Sequence, residues 1–285
     1  MIISKIIGGL GNQLFQYAAG RTLSVLNNTS LKLDVSEFDE YKLRNFGLQS
    51  FNCKAEFATE DEIINLRPAH NFEKAFQYLS PLKKRTYFRE KYFHFDGKIL
   101  KMGADVYLNG YFQSQKYFLP AEKIIREELS LKNEVTRNVE SFSNILKSQN
   151  SVSVHFRRAD FESDPVSMEY HGILSKEYYQ NAVTLIASKL TNPAFYIFSD
   201  DINWAKEKLK NHGATFVSGD ISKNHFEDLY LMSQCRHNII ANSSFSWWGA
   251  WLNDNPEKIV IAPGKWFNKG PKDTQDLIPE GWMRI

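Results

Sequence analysis

Short apolar segments and longer amphipathic segments alternate regularly through the second half of the chain. Strands are predicted at residues 151–154, 194–198, 215–217, 238–241 and 258–262. Helices are predicted between them, at residues 175–190, 202–210, 225–235 and from the segment 242–246 through residue 252. Strands that alternate with helices of this length form a parallel sheet with helices on its faces. The pattern therefore predicts a doubly wound α/β domain.

The first half of the chain begins with a similar unit. Residues 2–7 form an apolar strand, a glycine turn follows at residues 8–12, and residues 31–35 alternate as a second strand. The segment between them has a helical pattern, with Leu14 and Tyr17 on one side. A strand, a helix and a second strand in this order make a βαβ unit.

The middle of the chain contains the predicted domain boundary. Residues 59–66 have a helical pattern, and residues 107–113 are typical of a short strand that ends in a glycine turn. Residues 121–148 are charged and helix-prone, and we expect them to cross from one domain to the other. The predicted domains are residues 1–130 and 131–285.

The composition excludes several classes of protein. The 285 residues carry a net charge of only +2, which is too small for a nucleic-acid-binding protein. Cys53 and Cys235 are too few and too far apart for a disulfide framework or a zinc cluster. The sequence shows no signal-peptide pattern and no apolar stretch long enough to span a membrane. We therefore predict a cytoplasmic protein.

Polar side chains gather directly after three of the predicted strands, at residues 155–160, 200–201 and 242–246. Ligands of doubly wound sheets bind outside the carboxyl ends of the strands, so these side chains are expected to converge. Arg157 and Arg158 are adjacent, and the planar guanidinium suits bidentate binding of phosphate oxygens. The sequence predicts a diphosphate pocket; a salt bridge between arginine and aspartate at the sheet edge is the alternative.

The segment 242–246 offers one amide and three hydroxyls just before a helix. The amino end of a helix favours an anion, because its backbone N–H groups are unpaired and its dipole is positive there. Simple N-capping is the alternative, but it needs only one hydroxyl. Phe245 is the aromatic residue expected near a ligand, whereas Trp247, Trp248 and Trp251 are expected to pack in the core.

Asp200 and Asp201 are adjacent, without the spacing or the third ligand that a divalent metal needs. Because neighbouring residues after a strand point in different directions, one carboxylate is expected to bind a base or ribose and the other to cap the next helix. We predict no metal, so arginine would carry the phosphate charge.

The first glycine turn has the spacing Gly9-x-Gly11-x-x-Leu14, which lacks the third glycine of a dinucleotide-binding motif. Asp34 follows the second strand, where a ribose-binding acid would lie, but this support for a nicotinamide enzyme is weak. The glycines would instead let backbone N–H groups approach a ligand, with the amides of Asn12 and Gln13 beside it. A plain strand-to-helix turn is the alternative.

Basic and aromatic residues are interleaved in the segment 83–93. Such a segment could meet an acidic surface or a lipid-linked molecule. A solvated basic loop is the alternative.

Taken together, these motifs resemble those of the bacterial alpha-1,2-fucosyltransferases, a family of inverting glycosyltransferases. The matching segments are residues 8–17, 109–114, 116–118, 155–160, 198–201 and 242–248. They follow one another in the family's order through nearly the whole chain. One departure is Ala159, where the family commonly has glycine, whereas Asp160 and Phe161 fit the pattern.

The resemblance implies a GT-B architecture, with two Rossmann-like domains whose parallel sheets face each other across a cleft. It implies GDP-fucose as the donor, bound mainly by residues 131–285, without cofactor or metal, and Arg157 in contact with the β-phosphate. The other donor-binding residues would be Asn12, Gly9, Gly11, His155, Arg158, Asp200, Asp201, Asn242, Ser243, Ser244, Phe245 and Ser246. Residues 1–130 would bind the acceptor, through Gln13, Tyr111, Phe112 and Gln113.

The expected reaction transfers L-fucose from GDP-β-L-fucose to the 2-hydroxyl of a galactose-containing glycan, with inversion. The general base stays open among Asp160, Glu162, Asp164, His171 and the departing phosphate. A lipid-linked acceptor would bring the protein to the inner face of the membrane. Two alternatives stay open: a transferase with another GDP-sugar, acceptor or linkage, and a non-catalytic protein that binds a nucleotide sugar or glycan.

Overall fold

The computed structural model describes residues 1–40, 45–68, 77, 79–132, 137, 139–158, 165–209 and 213–285. The chain forms two compact units. The first unit consists of Met1–Ser130 and Asp273–Pro279, and the second consists of Leu131–Lys272 and Glu280–Ile285. The assignment of the acceptor to residues 1–130 and of the donor to residues 131–285 stays a prediction.

The first unit is built on a five-stranded sheet. Its strands are β1 (Ile2–Lys5), β2 (Leu31–Asp34), β3 (Glu56–Phe57), β4 (Tyr87–Arg89) and β5 (Val106–Asn109). The order is β3-β2-β1-β5-β4 and every pairing is parallel. The helices are α1 (Leu10–Leu26), α2 (Glu37–Glu40), α3 (Glu60–Leu66) and α4 (Glu122–Glu128). Helix α1 is almost wholly buried, because apolar residues such as Leu14, Phe15 and Tyr17 cover more than one side of it.

The second unit is built on a six-stranded sheet. Its strands are β6 (Ser151–Phe156), β7 (Ala194–Ser199), β8 (Thr215–Phe216), β9 (His237–Ile239), β10 (Val260–Ala262) and β11 (Met283–Arg284). The order is β11-β10-β9-β6-β7-β8, and all strands are parallel. Read from β8, this is the 3-2-1-4-5-6 order of a doubly wound Rossmann sheet. The two parallel sheets confirm the predicted α/β class.

Helices cover both faces of the second sheet. They are α5 (Glu140–Ser148), α6 (Pro165–His171), α7 (Lys176–Ala187), α8 (Ile202–Leu209), α9 (His225–Gln234) and α10 (Ser244–Leu252). Val154 and Ile239 face α7 and α8, whereas the side chain of Asn238 binds the Met232 carbonyl of α9 on the opposite face. Trp247 and Trp248 of α10 are fully buried, as predicted.

Several elements differ from the expectation. Strands β3, β4 and β11 were not predicted, and β4 interrupts the segment 83–93, for which a loop was one interpretation. Residues 121–148, which are expected to cross from one domain to the other, contain the separate helices α4 and α5, and the boundary between the two units lies between these helices. Within the described ranges, no helix is both long and apolar enough to cross a membrane.

Candidate functional site

The second sheet has its topological switch point between β6 and β9, which are neighbours although more than 80 residues separate them. Strand β6 connects to helices on one face, whereas β9 connects to α10 on the other face. The two connections therefore diverge and leave a crevice at the carboxyl ends of the strands, which is where ligands of such sheets bind. The described part of the predicted segment 155–160, which is residues 155–158, and the predicted segment 242–246 both begin at this crevice.

Arg157 lies at the crevice and contacts the start of helix α10. Its Nη1 donates a hydrogen bond to the Ser243 hydroxyl at 3.0 Å. Ser243 is the N-cap of α10, and the same hydroxyl accepts the Phe245 N–H at 3.3 Å. A permanent positive charge thus lies beside the positive end of a helix dipole. Together they favour a doubly charged anion such as a diphosphate.

His155 is the last but one residue of β6 and is 4% exposed. Its ring centroid lies 5.7 Å from that of Phe245, and no hydrogen-bond partner reaches its Nδ1 from the described part of the chain. Burial, helped by the Arg157 charge, lowers the pKa of His155 to about 3. The imidazole is therefore neutral at pH 7 and can exchange a hydrogen bond with an uncharged ligand group, but it cannot supply charge to a phosphate.

Asp200 and Asp201 have different partners. The Asp200 carboxylate accepts the backbone N–H of Arg158 at 2.8 Å, so it joins the ends of β7 and β6. The Asp201 carboxylate accepts the Trp204 N–H at 3.1 Å and caps α8, which is the capping role expected for one of the pair. The Arg158 guanidinium lies 4.0 Å above the Trp204 ring, a cation–π contact. Donor contacts for these residues stay predictions.

Two polar side chains of the segment 242–246 are engaged in internal contacts. The Asn242 amide donates to the carbonyls of His171, Gly172 and Trp266 at 3.0–3.1 Å, and the Ser246 hydroxyl donates to the Ser243 carbonyl at 3.3 Å. Ser244 and Phe245 are half-buried at the start of α10. The internal contacts hold the crevice loops in place, and the predicted donor contacts of all four residues stay predictions.

Candidates for a general base and for a metal site are few in the described ranges. Asp160, Glu162 and Asp164 lie outside the described residues. His171 ends α6, with its ring centroid 5.5 Å from that of Phe267. Among the residues that the structure describes, no group of three or more His, Cys, Asp or Glu side chains is placed to hold a metal ion.

In the first unit, the glycine turn joins β1 to α1. Gly8 has φ +76°, and Gly9 is the N-cap of α1 with φ −72°. A Cβ at Gly9 would meet no heavy atom within 4 Å, so there is open space beside the turn at this residue. The buried amide of Gln13 donates to the carbonyls of Gly8 and Asn45 and accepts the N–H of Gly47 at 2.9 Å. Gln13 thus braces the turn, and its predicted acceptor contact stays a prediction.

A second cluster lies at the carboxyl ends of β4 and β5. The side-chain oxygen Oδ1 of Asn12 accepts a hydrogen bond from the Gln113 side-chain amide at 2.8 Å, while Tyr111 is 43% exposed. Phe112 is fully buried at φ +53°, an uncommon conformation for a bulky residue. One carboxylate oxygen of Glu90 accepts the N–H groups of Tyr111 and Phe112 at 2.7 and 3.0 Å, which holds this turn in place.

Sequence reasoning missed Glu90 and Asp228. Burial raises the pKa of Glu90, and the only signal in the sequence is a lone acid within a basic segment. Asp228 of α9 accepts hydrogen bonds from the hydroxyls of Ser218 and Ser222, and Ser218 in turn accepts the Ser199 N–H at the end of β7. Asp228 thereby supports the strand end that precedes Asp200, although no motif indicates it.

Asp34 does not support the dinucleotide interpretation. Its carboxylate is buried and accepts hydrogen bonds from the Tyr107 hydroxyl at 2.6 Å and the Ser36 hydroxyl at 2.7 Å. A ribose-binding acid would need open oxygen atoms at the surface of the turn.

Comparison with known proteins places these features in a family. The family model for glycosyl transferase family 11 matches residues 1–285. An alpha-1,2-colitosyltransferase of Escherichia coli is 35% identical, covering 100% of this chain and 99% of the relative. The O-antigen biosynthesis glycosyltransferase WbnK of Escherichia coli is 34% identical, covering 99% of each chain. Galactoside alpha-(1,2)-fucosyltransferase 2 of Hylobates lar is more distant, at 24% identity over 98% of this chain and 77% of the relative.

Among solved structures, a mutant of Arabidopsis thaliana FUT1 in complex with GDP has a TM-score of 0.53 with this chain. The identity is 12%, and the match covers 91% of this chain and 69% of that one. At this identity the likeness concerns the fold alone. It agrees with the two parallel sheets described above and with the predicted GT-B class.

Proposed function

Because this chain belongs to glycosyl transferase family 11, we propose that it transfers L-fucose from GDP-β-L-fucose to the 2-hydroxyl of a galactose-containing glycan, with inversion. The alpha-1,2 linkage is supported by the names of two relatives, the alpha-1,2-colitosyltransferase and the galactoside alpha-(1,2)-fucosyltransferase. The donor is supported by the ordered motifs and by the anion-binding character of the crevice in the second unit.

The contact between Arg157 and Ser243 carries this proposal. When the bond between the fucose anomeric carbon and the β-phosphate oxygen breaks, negative charge accumulates on that oxygen. A guanidinium fixed beside the α10 N-terminus would stabilise this charge more in the transition state than in the ground state, which raises the rate. Arginine can supply this stabilisation without a metal ion, and we propose a metal-independent reaction.

The proposed reaction is a single displacement. The acceptor 2-hydroxyl attacks the anomeric carbon from the face opposite the phosphate, the new carbon–oxygen bond forms, and GDP leaves with the bonding electron pair. The hydroxyl proton passes either to a carboxylate or histidine within hydrogen-bond reach or to the departing phosphate. We assign no base at this point.

A colitosyl transfer is the second candidate, because the 35% identical relative is an alpha-1,2-colitosyltransferase. Colitose is the 3-deoxy form of L-fucose, so the two sugars differ by one hydroxyl. A site that forms a hydrogen bond to the 3-hydroxyl of fucose strongly rejects colitose, which lacks this group. An apolar site, in contrast, discriminates only weakly between the two sugars. Competition between the two GDP-sugars therefore separates the two candidates.

The decisive experiment incubates the purified protein with GDP-fucose and a panel of galactosides, with a chelator in one arm and magnesium in the other. We expect an alpha-1,2-fucoside, assigned by NMR, at similar rates in both arms. A parallel arm with GDP-colitose gives the preference between donors. If calorimetry shows that GDP-fucose binds, but neither sugar transfer nor slow hydrolysis of the donor is detected, the protein is a non-catalytic binding protein instead.

The acceptor and the cellular location are also proposals. Because one relative takes part in O-antigen biosynthesis, we propose a lipid-linked glycan as the natural acceptor and the cytoplasm as the compartment. Comparing a soluble galactoside with the same sugar on a polyprenyl diphosphate, by the ratio of kcat/KM values, would test this choice.

A further inference from the structure

A group of exposed cations on the first unit is not used by the site described above. We call it the basic surface. It comprises the exposed side chains Lys83, Lys84, Arg89, Lys98 and Lys101, together with the exposed apolar side chains Leu79 and Tyr92.

The charge of the chain is concentrated in this segment. Residues 79–101 contain seven of the 35 Lys and Arg residues but only two of the 33 Asp and Glu residues. The segment therefore carries an excess of five positive charges, whereas the whole chain carries only +2. The remainder of the protein is accordingly net negative, so the positive charge is a local property of this surface.

The nearby carboxylates have other partners. Glu90 accepts the backbone N–H groups of Tyr111 and Phe112, and Asp96 accepts the N–H of Lys98 at 3.0 Å. Asp105 pairs with the N-terminal ammonium at 2.6 Å. Within the described residues, no ion pair joins the basic surface to a carboxylate of its own segment.

The fold brings the cations of the basic surface together at the edge of the first sheet. Strand β4 is an edge strand that pairs only with β5. A 3₁₀ turn at Leu82–Lys84 precedes β4, and another at Ile99–Lys101 precedes β5. Gly103, which follows the second turn, contacts the first turn, because a Cβ on Gly103 would lie only 2.3 Å from the Lys83 carbonyl oxygen. Arg89 lies at the carboxyl end of β4, five residues beyond Lys84, which is about 16 Å along an extended chain.

Two apolar side chains accompany these cations. Leu79 is 83% exposed and Tyr92 is 63% exposed. The Tyr92 ring stacks on His94, with centroids 5.2 Å apart, so it is held at the surface. A tyrosine with an apolar body and a polar tip suits the boundary between lipid headgroups and acyl chains.

We propose that the basic surface binds the anionic headgroups of a lipid bilayer. Clusters of four to eight Lys and Arg residues are attracted by the negative potential of anionic lipids, and the attraction extends over about one Debye length. The exposed Leu79 and Tyr92 favour a bilayer over a nucleic acid, because only the bilayer offers these side chains an apolar phase. Membrane binding is a property beyond the proposed sugar transfer. It would bring the protein to the surface that carries a lipid-linked acceptor.

The test is co-sedimentation of the whole protein with vesicles of phosphatidylcholine, alone or mixed with phosphatidylglycerol, at low and at high salt. We expect binding to the anionic vesicles only, weakened by salt. The triple variant Lys83→Gln/Lys84→Gln/Lys101→Gln should bind about tenfold more weakly or worse. A matched control, Lys123→Gln/Lys147→Gln/Lys189→Gln, removes the same charge from other exposed positions and should bind like the wild type.

Three results would overturn the proposal: no binding to anionic vesicles, equal binding to neutral ones, or equal loss in both triple variants. Retention of the protein by DNA without vesicle binding would overturn it in favour of a soluble polyanion. Transfer to a soluble galactoside is measured in parallel and should be unchanged in both variants. Failure of the wild type in that assay would contradict the proposed function and leave the vesicle result standing.

Discussion

Arg157 is the single residue on which the proposed chemistry depends most. We expect Arg157→Ala to lower kcat about a hundredfold, because removing one donor that stabilises the transition-state oxyanion typically costs about 3 kcal/mol. Arg157→Lys keeps the positive charge but loses the planar guanidinium, which could bind Ser243 and an anion at the same time. The difference in kcat between the two variants therefore separates the contribution of the charge from that of the guanidinium geometry. Steady-state kinetics with GDP-fucose gives both values.

The matched control for Arg157 is Arg236→Ala, which removes an exposed arginine from the same unit. It should retain wild-type kcat, and circular dichroism should show all three variants folded. Near wild-type turnover in Arg157→Ala would refute its assignment to the β-phosphate.

Gly8 and Gly9 are adjacent but should respond differently to alanine. Gly8 has φ +76°, and a Cβ there would lie 2.9 Å from the Asn12 amide nitrogen, so Gly8→Ala should destabilise the fold by about 1–2 kcal/mol. Gly9 has φ −72° and open space around it, so Gly9→Ala should leave the melting temperature unchanged. Thermal unfolding checks both outcomes.

The same pair of glycine variants tests the donor contact predicted for the turn. If a ligand approaches the Gly9 backbone closely, Gly9→Ala should weaken GDP-fucose binding in calorimetry without loss of stability. Unchanged affinity would indicate that the turn serves only to connect β1 to α1.

Single residues show what the sequence could reveal about the site. His155 and Arg157 could be singled out because they directly follow an alternating strand, which is a local pattern. The contact between Arg157 and Ser243 could not be predicted, because it spans 86 residues and depends on the pairing of β6 with β9. Glu90 was missed because it binds the backbone of a turn, and such contacts leave no spacing rule in the sequence.

At the scale of elements, helix α10 depends on its cap. Ser243→Ala removes the hydroxyl that accepts both the Phe245 N–H and the Arg157 guanidinium. We expect a loss of about 1 kcal/mol in the free energy of unfolding, together with weaker GDP binding. Ser143→Ala in α5 is the control, since that buried hydroxyl contacts helix backbone far from the crevice in sequence. Equal effects on GDP binding in the two variants would contradict the assignment.

The stability of the fold should depend on pH through Asp228 of helix α9. Burial raises the pKa of Asp228 from 3.8 to about 6, although the Ser222 and Ser218 hydrogen bonds oppose the shift. Between pH 3.8 and pH 6 the Asp228 carboxyl is protonated in the native state but ionised in the unfolded chain. The stabilisation that this bound proton gives the native state is therefore lost as the pH rises through 6. Relative to Asp228→Asn, the wild type should lose on the order of 2 kcal/mol between pH 4 and pH 7. Urea unfolding at several pH values measures this difference, and parallel curves would contradict it.

Element length explains which parts of the fold were predictable. The strands at residues 151–154 and 194–198 and the helix at residues 175–190 have periodic patterns long enough to predict, and the structure confirms them as β6, β7 and α7. Strands β3 and β11 have only two residues each, so their existence depends on the neighbouring strand that pairs with them rather than on their own pattern.

At the scale of the whole molecule, the chain enters the first unit a second time near its end. Asp273–Pro279 joins the first unit, and β11 then returns to the second sheet. Local composition gave no indication of this path, because residues 273–279 have no helical or strand period. The contacts that fix the segment come from residues about 160 to 180 positions earlier in the chain.

Asp276 is the residue that attaches this segment to the first unit. Its carboxylate accepts the Phe95 N–H at 2.9 Å and pairs with the Lys116 ammonium. We expect Asp276→Ala to destabilise the first unit by about 1–3 kcal/mol, because the half-buried Phe95 N–H loses its acceptor. Amide hydrogen exchange should accelerate around residues 93–96 and 115–118 and stay unchanged in β6 and β7. Asp254→Ala, which alters an exposed aspartate of the second unit, should leave both regions unchanged. Acceleration spread evenly over both units would show instead that the chain unfolds as one cooperative body.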